Sequence, residues 1–352
     1  MSRAPVLDRN PTRLSWRSLV VAAFVALVGL IVAAAFGPLG VGVRDVAATI
    51  ANQIPGVNID TGLTATQTSI LLDVRLPRVV LAALVGSVLA TSGGAYQATF
   101  RNPLAAPYLL GAAGGAGLGV TIALSGTGGV LGDIGVPVAL AAFAGGLAAV
   151  GLAYALGTGA GGRTGSTLIL AGVAVAALCG ALQTLLLQRD DESLRDVYAW
   201  LLGRFNAAGW DDVRLLAPIA VVAIVVLVLC GRRLDLLALG DDEAHALGVH
   251  AARVRITVIV AATLATAAAV AVSGLIGFVG IIVAHAIRLR TGPSYRRILP
   301  LAALYGAPFL ALADLLARTL LAPAEIPIGV ITAAVGAPFF LVLLRTSRVR
   351  DS

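Results

Sequence analysis

The chain has 352 residues, 59% of them hydrophobic and only 12% charged, with a mean hydropathy of +0.95 and a formal charge of +7. Those fractions exclude an ordinary soluble domain and describe an all-α, polytopic membrane protein. The positive charge does not mark a nucleic-acid binder, because the basic residues sit at the ends of apolar runs and form no single cluster.

Crossing roughly 30 Å of hydrocarbon takes about 20 apolar residues, fewer where neighbouring helices shelter them. About ten runs qualify: 19–36, 79–100, 108–125, 136–156, 168–187, 215–230, 254–272, 275–287, 298–317 and 328–344. The first follows Arg13 and Arg17 and is longer than the apolar core of a cleavable leader, so it is read as a span. The eighth is short for a simple crossing. With the N-terminus inside, roughly two thirds of the basic residues fall in inner segments, which predicts cytoplasmic termini. The organisation expected is a tail over 1–18, one membrane domain over 19–345 and a second tail over 346–352. Cys179 and Cys230 both lie inside apolar runs and make no disulfide framework.

Along the chain, NPLAAP (102–107) carries Pro103 and Pro107 and reads as a turn between the second and third spans. In GAAGGAGLG, Gly111, Gly115 and Gly119 recur every four residues, so that one helix face admits a neighbouring backbone. The stretch GTGAGGRT (157–164) has P-loop spacing with Arg163 in the lysine position. It connects two spans where a P-loop would join a strand to a helix, and every basic residue in the chain is arginine, so the phosphate-binding lysine is missing altogether. If ATP drives this protein, another chain hydrolyses it.

LALGDDEAHALGVH (237–250) breaks the apolar pattern. His245 and His250 are five apart, a poor spacing for two metal ligands on one helix face. Asp241, Asp242 and Glu243 instead read as the acidic first turn of a short helix after Gly240, stopped by Gly248, with Ala244 and Leu247 on one side. A helix this short is marginal in water and needs a partner to support it; the competing reading is a solvated loop. Further on, SGLIGFVG (273–280) concentrates three glycines where a helix break is expected. His285 reads as a donor to a backbone carbonyl, and Asp314 and Arg318 as an i,i+4 pair that offsets the cost of charge in a membrane helix. Gln97 and Gln183 either face a translocation path or bridge helices.

From about residue 70 the chain resembles the FecCD/BtuC-like permeases of type II ABC importers, which take up iron-siderophores, haem and cobalamin. Five segments carry the resemblance in order: RLPRVVLAALVGSVLATSGGAYQATFRNPLAAPYLLG (75–111), LALGDDEAHALGVH (237–250), GLIGFVGIIVAHAIRL (274–289), LPLAALYGAPFLALADLLART (299–319) and EIPIGVITAAVGAPFFLVLL (325–344). Ala284 departs from the pattern, which usually has proline before the histidine. The resemblance implies a permease that does no chemistry and binds no cofactor or metal, with ATP and Mg on a partner ATPase. It implies that Gly240, Glu243, Ala244, Leu247 and Gly248 belong to the element that docks in that ATPase, and that Arg75, Arg78 and Arg318 pair with a substrate-binding protein outside the membrane. Thr164, Gly165, Ser166 and Thr167 align with an inner gate. The implied assembly is two permease subunits, identical or sister chains, two ATPases and an extracytoplasmic binding protein delivering a ferric siderophore across a bacterial inner membrane. A gradient-driven secondary transporter is the alternative class.

Overall fold

The computed structural model describes residues 14–37, 42–125, 137–159, 165–188 and 191–348. In chain order its helices are α1 (Trp16–Ala35), α2 (Val43–Ala51), α3 (Ala65–Ser69), α4 (Leu76–Phe100), α5 (Ala112–Leu124), α6 (Val138–Gly159), α7 (Gly165–Leu187), α8 (Asp191–Leu201), α9 (Trp210–Leu237), α10 (Asp241–Ala246), α11 (Ala251–Ser273), α12 (Val279–Thr291), α13 (Tyr295–Thr319) and α14 (Ile328–Arg348), with a π-helical turn, Ile70–Arg75, leading into α4. No strand occurs among the described residues. Each of the ten apolar runs coincides with a helix, and among the described residues seven helices are long and apolar enough to cross a membrane alone. The two shortest, α5 and α12, have 13 residues each and reach only about 20 Å. Helix α1 starts at Trp16, where the Ser15 hydroxyl accepts from the Ser18 N–H at 3.1 Å, and α14 runs to Arg348, so both membrane helices extend beyond the 19–345 limits expected.

Helix α4 is the axis of the larger packing group, contacting α9, α11, α12 and α13. Its glycines explain how. A Cβ on Gly86 would overlap the Gly306 carbonyl of α13, and one on Gly93 would overlap Gly280 of α12. In lipid, where apolar side chains gain nothing by leaving their surroundings, such backbone contact supplies the packing energy. Helices α5, α6 and α7 form a second group by the same device. Gly115 lies against Gly145 and Gly119 against Ala141, both on α6, as the four-residue spacing predicts. Gly111 departs from that stripe: it is the left-handed N-cap of α5, φ +86°, and faces Gly172 of α7. Helix α11 joins the groups, packing on α4 and α9 on one side and α6 on the other.

The expected break at SGLIGFVG is present. Helix α11 ends at Gly274, φ +70°, and α12 starts after Phe278, itself left-handed at φ +67°. Gly280 meets Gly93, about 10 Å of helix from the end of α4, so α12 begins inside the bundle. Non-helical backbone at that depth survives only if protein shields it and satisfies its polar groups. Here the Tyr108 hydroxyl donates to the Ile276 carbonyl at 2.9 Å, and the Arg204 N–H donates to the Ser273 carbonyl at 2.9 Å. Beyond it α12 runs unbroken through the buried Ala284, in keeping with the absence of proline there.

Candidate functional sites

At one end of the bundle, the chain leaves α9 and turns at Gly240, φ +151°, where a Cβ would collide with the Glu243 carboxylate. Helix α10 follows, six residues long with Asp241, Asp242 and Glu243 in its first turn. Its end is a Schellman closure: the Val249 N–H donates to the Ala244 carbonyl at 2.8 Å, the Gly248 N–H to the His245 carbonyl at 2.9 Å, and Gly248 takes φ +80°. The expected shared face of Ala244 and Leu247 does not exist. Ala244 is fully buried, whereas Leu247, at the C-cap, is 58% exposed, and Leu239, before Gly240, is 63% exposed. The reason is that a Schellman closure turns the position of Ala244 inward, on the same side as Val249, which packs against the core, while the C-cap position of Leu247 is left outside.

What holds so short a helix is a charge clamp the sequence reading missed. Asp241 receives both terminal nitrogens of Arg255 on α11, at 2.7 and 2.8 Å, and one from Arg101, which also donates to the last carbonyl of α9, Leu237, at 3.1 Å. Arg101 sits in a left-handed C-cap, φ +48°, at the end of α4. One carboxylate thus ties together α4, α9, α10 and α11. The Arg255 hydrogen bonds hold the Asp241 carboxyl below the usual carboxylate range, against a smaller opposing effect of burial. Nearby, Asp235 of α9 accepts from the Ser294 hydroxyl at 2.8 Å and from the Tyr295 N–H, capping α13. The His245 and His250 rings lie 5.9 Å apart by centroid, with no third metal ligand grouped with them among the described residues.

The opposite end carries the three arginines expected to meet a partner, and all three are engaged within the chain. Arg78 forks onto Asp314 at 2.8 and 2.9 Å and onto Glu325 at 2.9 and 3.0 Å. Asp314 therefore pairs chiefly with Arg78, 236 residues away, while the expected i,i+4 pair with Arg318 is present but longer, its Nε 3.8 Å off. Arg318 turns to the Ala33 carbonyl, and Arg75 donates to the Ala34 and Ala35 carbonyls at 3.1 Å each. Both are more than nine-tenths buried and satisfy the open carbonyls of the last turn of α1. The exposed charges bordering Arg78 are Glu325 and Arg204, which line one 140 Å³ cavity with it.

Among the other predicted residues, Gln97 is buried and bridges helices: it donates to the Gly280 carbonyl at 3.3 Å and accepts from Arg288 at 2.7 Å. Gln183 is half-buried, with its amide oxygen over Gly117 of α5. Gly165, Ser166 and Thr167 open α7, with Ser166 exposed and Thr167 half-buried, while Thr164 lies outside the described residues. Residues 157–159 close α6, so the P-loop-like stretch follows no strand; its remaining residues lie outside those described. The expected carbonyl partner of His285 is absent: both ring nitrogens are buried with no hydrogen bond among the described residues, and the ring packs edge-on against Phe339, 5.9 Å between centroids.

A membrane bundle with a clamped, outward-facing short helix at one end matches a known pattern over almost its whole length: the FecCD transport family model covers residues 15–346. The chain belongs to the FecCD transport family. It is 40% identical over 284 residues to an uncharacterized ABC transporter permease protein, YvrB, of Bacillus subtilis (strain 168), covering 80% of each chain. It is 40% identical over 305 residues to the cobalamin import system permease BtuC of Halobacterium salinarum, covering 86% of this chain and 80% of that one. With the hemin transport system permease HmuU of Yersinia pestis it shares 39% over 282 residues, 80% of this chain and 84% of the other. A solved structure described as a metal-chelate type ABC transporter in an inward-facing conformation superposes with a TM-score of 0.80 at 30% identity, over 94% of this chain and 99% of that one. This FecCD protein is accordingly a multi-pass permease subunit of a type II ABC importer.

Proposed function

We propose that this chain imports a ferric siderophore, paired with a second permease subunit, identical or a sister chain, and powered by two separate ATPase chains that bind the ATP and Mg. The observation that carries the coupling half is α10: a six-residue helix clamped to three others through Asp241 while Leu247 and Leu239 stay open to a partner. The metal-chelate type structural relative supports the cargo; haem or cobalamin is the second reading, favoured by the permeases named for those ligands. In this reading the α10 end faces the cytoplasm of a bacterium. Ser166 and Thr167, with Thr164 and Gly165, form the inner gate. A binding protein docks on the other end through the rim of Arg78, Glu325 and Arg204, while Arg75 and Arg318 act behind that rim by fixing α1. Exposed charges such as Glu325 and Arg204 set orientation and association rate more than affinity.

The test is ATPase activity of the purified complex in nanodiscs, with binding proteins loaded with ferric siderophore, haem or cobalamin added singly, for wild type and Leu247→Arg. Stimulation by the siderophore-loaded protein alone, abolished in a folded Leu247→Arg complex, is expected. Stimulation by haem or cobalamin instead overturns the cargo, and normal coupling in the variant overturns the docking role of α10.

A further inference from the structure

Helix α1 packs mainly on α13, where Gly29 lies against Pro308 so closely that a Cβ would come within 2.6 Å of the proline Cβ. Because α12 is only 13 residues long, it does not close against α1 along the same side. A groove of about 820 Å³ remains between α1 and α12, floored by α13 residues such as Leu301, Tyr305 and Phe309. Its walls are apolar for most of their length, but its end nearest α10 carries Arg17 and Arg290. Both arginines are exposed, neither belongs to an ion pair among the described residues, and no acidic residue lines the groove.

Length and charge together select an occupant. The wall from Arg17 to Val32 runs about 22 Å along α1, against about 20–22 Å for one leaflet with its headgroup region. An arginine pair at the mouth of an apolar slot of leaflet depth matches a phosphate joined to an acyl chain. We propose that the groove holds one anionic phospholipid from the leaflet at the α10 end, its phosphate met by Arg17 and Arg290 and an acyl chain laid along α1. Arginines that merely anchor a helix end attract headgroups without a slot beneath them; here the cations and the slot coincide. The bound lipid fills the space between α1 and α12 and stiffens a region that the protein leaves unpacked.

The test is native mass spectrometry of the purified, delipidated complex titrated with phosphatidylglycerol or phosphatidylcholine. Wild type is expected to retain one phosphatidylglycerol per chain roughly thirty-fold more tightly than phosphatidylcholine, the effect of two cationic contacts near a membrane surface. Arg17→Gln with Arg290→Gln removes that preference, and Ala286→Trp, which fills the groove, removes retention of both lipids. Arg232→Gln with Arg296→Gln, exposed arginines at the same end outside the groove, leaves it intact. Equal retention of the two lipids by wild type, equal loss in both arginine pairs, or full retention in Ala286→Trp overturns the proposal. So does efficient cross-linking of Ala286→Cys between two copies, which puts protein in the slot.

Discussion

The two ends of the bundle solve one problem, holding helices together through an arginine forked onto a carboxylate, in opposite dielectric settings. At the Arg78 end the shared carboxylate, Asp314, is 2% exposed; at the α10 end Asp241 is 47% exposed. A buried pair that loses one partner leaves an uncompensated charge, whereas an exposed pair passes its members to water. The first end is thus costly to break, whereas the carboxylate of the second can exchange its partners with water. The two shared carboxylates each accept three arginine hydrogen bonds and differ in burial.

The sharpest way to break this comparison is Asp314→Ala, which leaves the buried Arg318 without its carboxylate and Arg78 with only the more exposed Glu325, and is expected to cost about 3–5 kcal/mol, read as a large drop in thermal midpoint in detergent. A cost no greater than that of Asp241→Ala erases the distinction. Next, Gly93→Val inserts a side chain into the α4–α12 contact between the two ends and is expected to destabilise by about 1–3 kcal/mol in the same assay. Arg255→Gln removes a side chain only 13% exposed but leaves the half-exposed Asp241 to water and Arg101, so it should cost about 1 kcal/mol, and raising salt to about 1 M should loosen wild-type α10 in amide exchange while leaving the Arg78 end unchanged. The smallest effect is that of pH. The Asp241 carboxyl is held below its ordinary value of about 3.9, so its contribution is fully present above that value and is lost as pH falls through the lowered one. Protection of the Val249 amide, corrected for intrinsic exchange, should be flat from about pH 5 to 8 and fall only in stronger acid.

The spans were legible because membrane burial writes itself into long local runs of apolar residues, and Gly248 was legible because a left-handed stop has few other solutions. The partners were not. Nothing in the sequence around Arg78 points to Asp314 or Glu325, since contacts across more than two hundred residues leave no local period. Arg101 and Arg255 read as topology signals because their charge served that reading equally well, and the tie through Asp241 appears only once three helix ends are brought together. Ala244 misled by being apolar and in helical register with Leu247; a two-turn helix bound on one side has room for one inward residue. The amphipathic α8 and the short α2 and α3 between spans escaped a search for long apolar runs.

Helix α11 begins two residues beyond the α10 closure and continues for 23 residues, so any displacement of that closure is applied to the end of a rod about 34 Å long. A tilt of about 10° moves the far end by about 6 Å. Along its length the rod bears on α6, and α6 is joined to α5 through backbone-to-backbone glycine contacts that no side-chain rearrangement can cushion. The arrangement has leverage without slack: a tilt of α11 would pass through its contact with α6 to backbone contacts that side chains cannot relax.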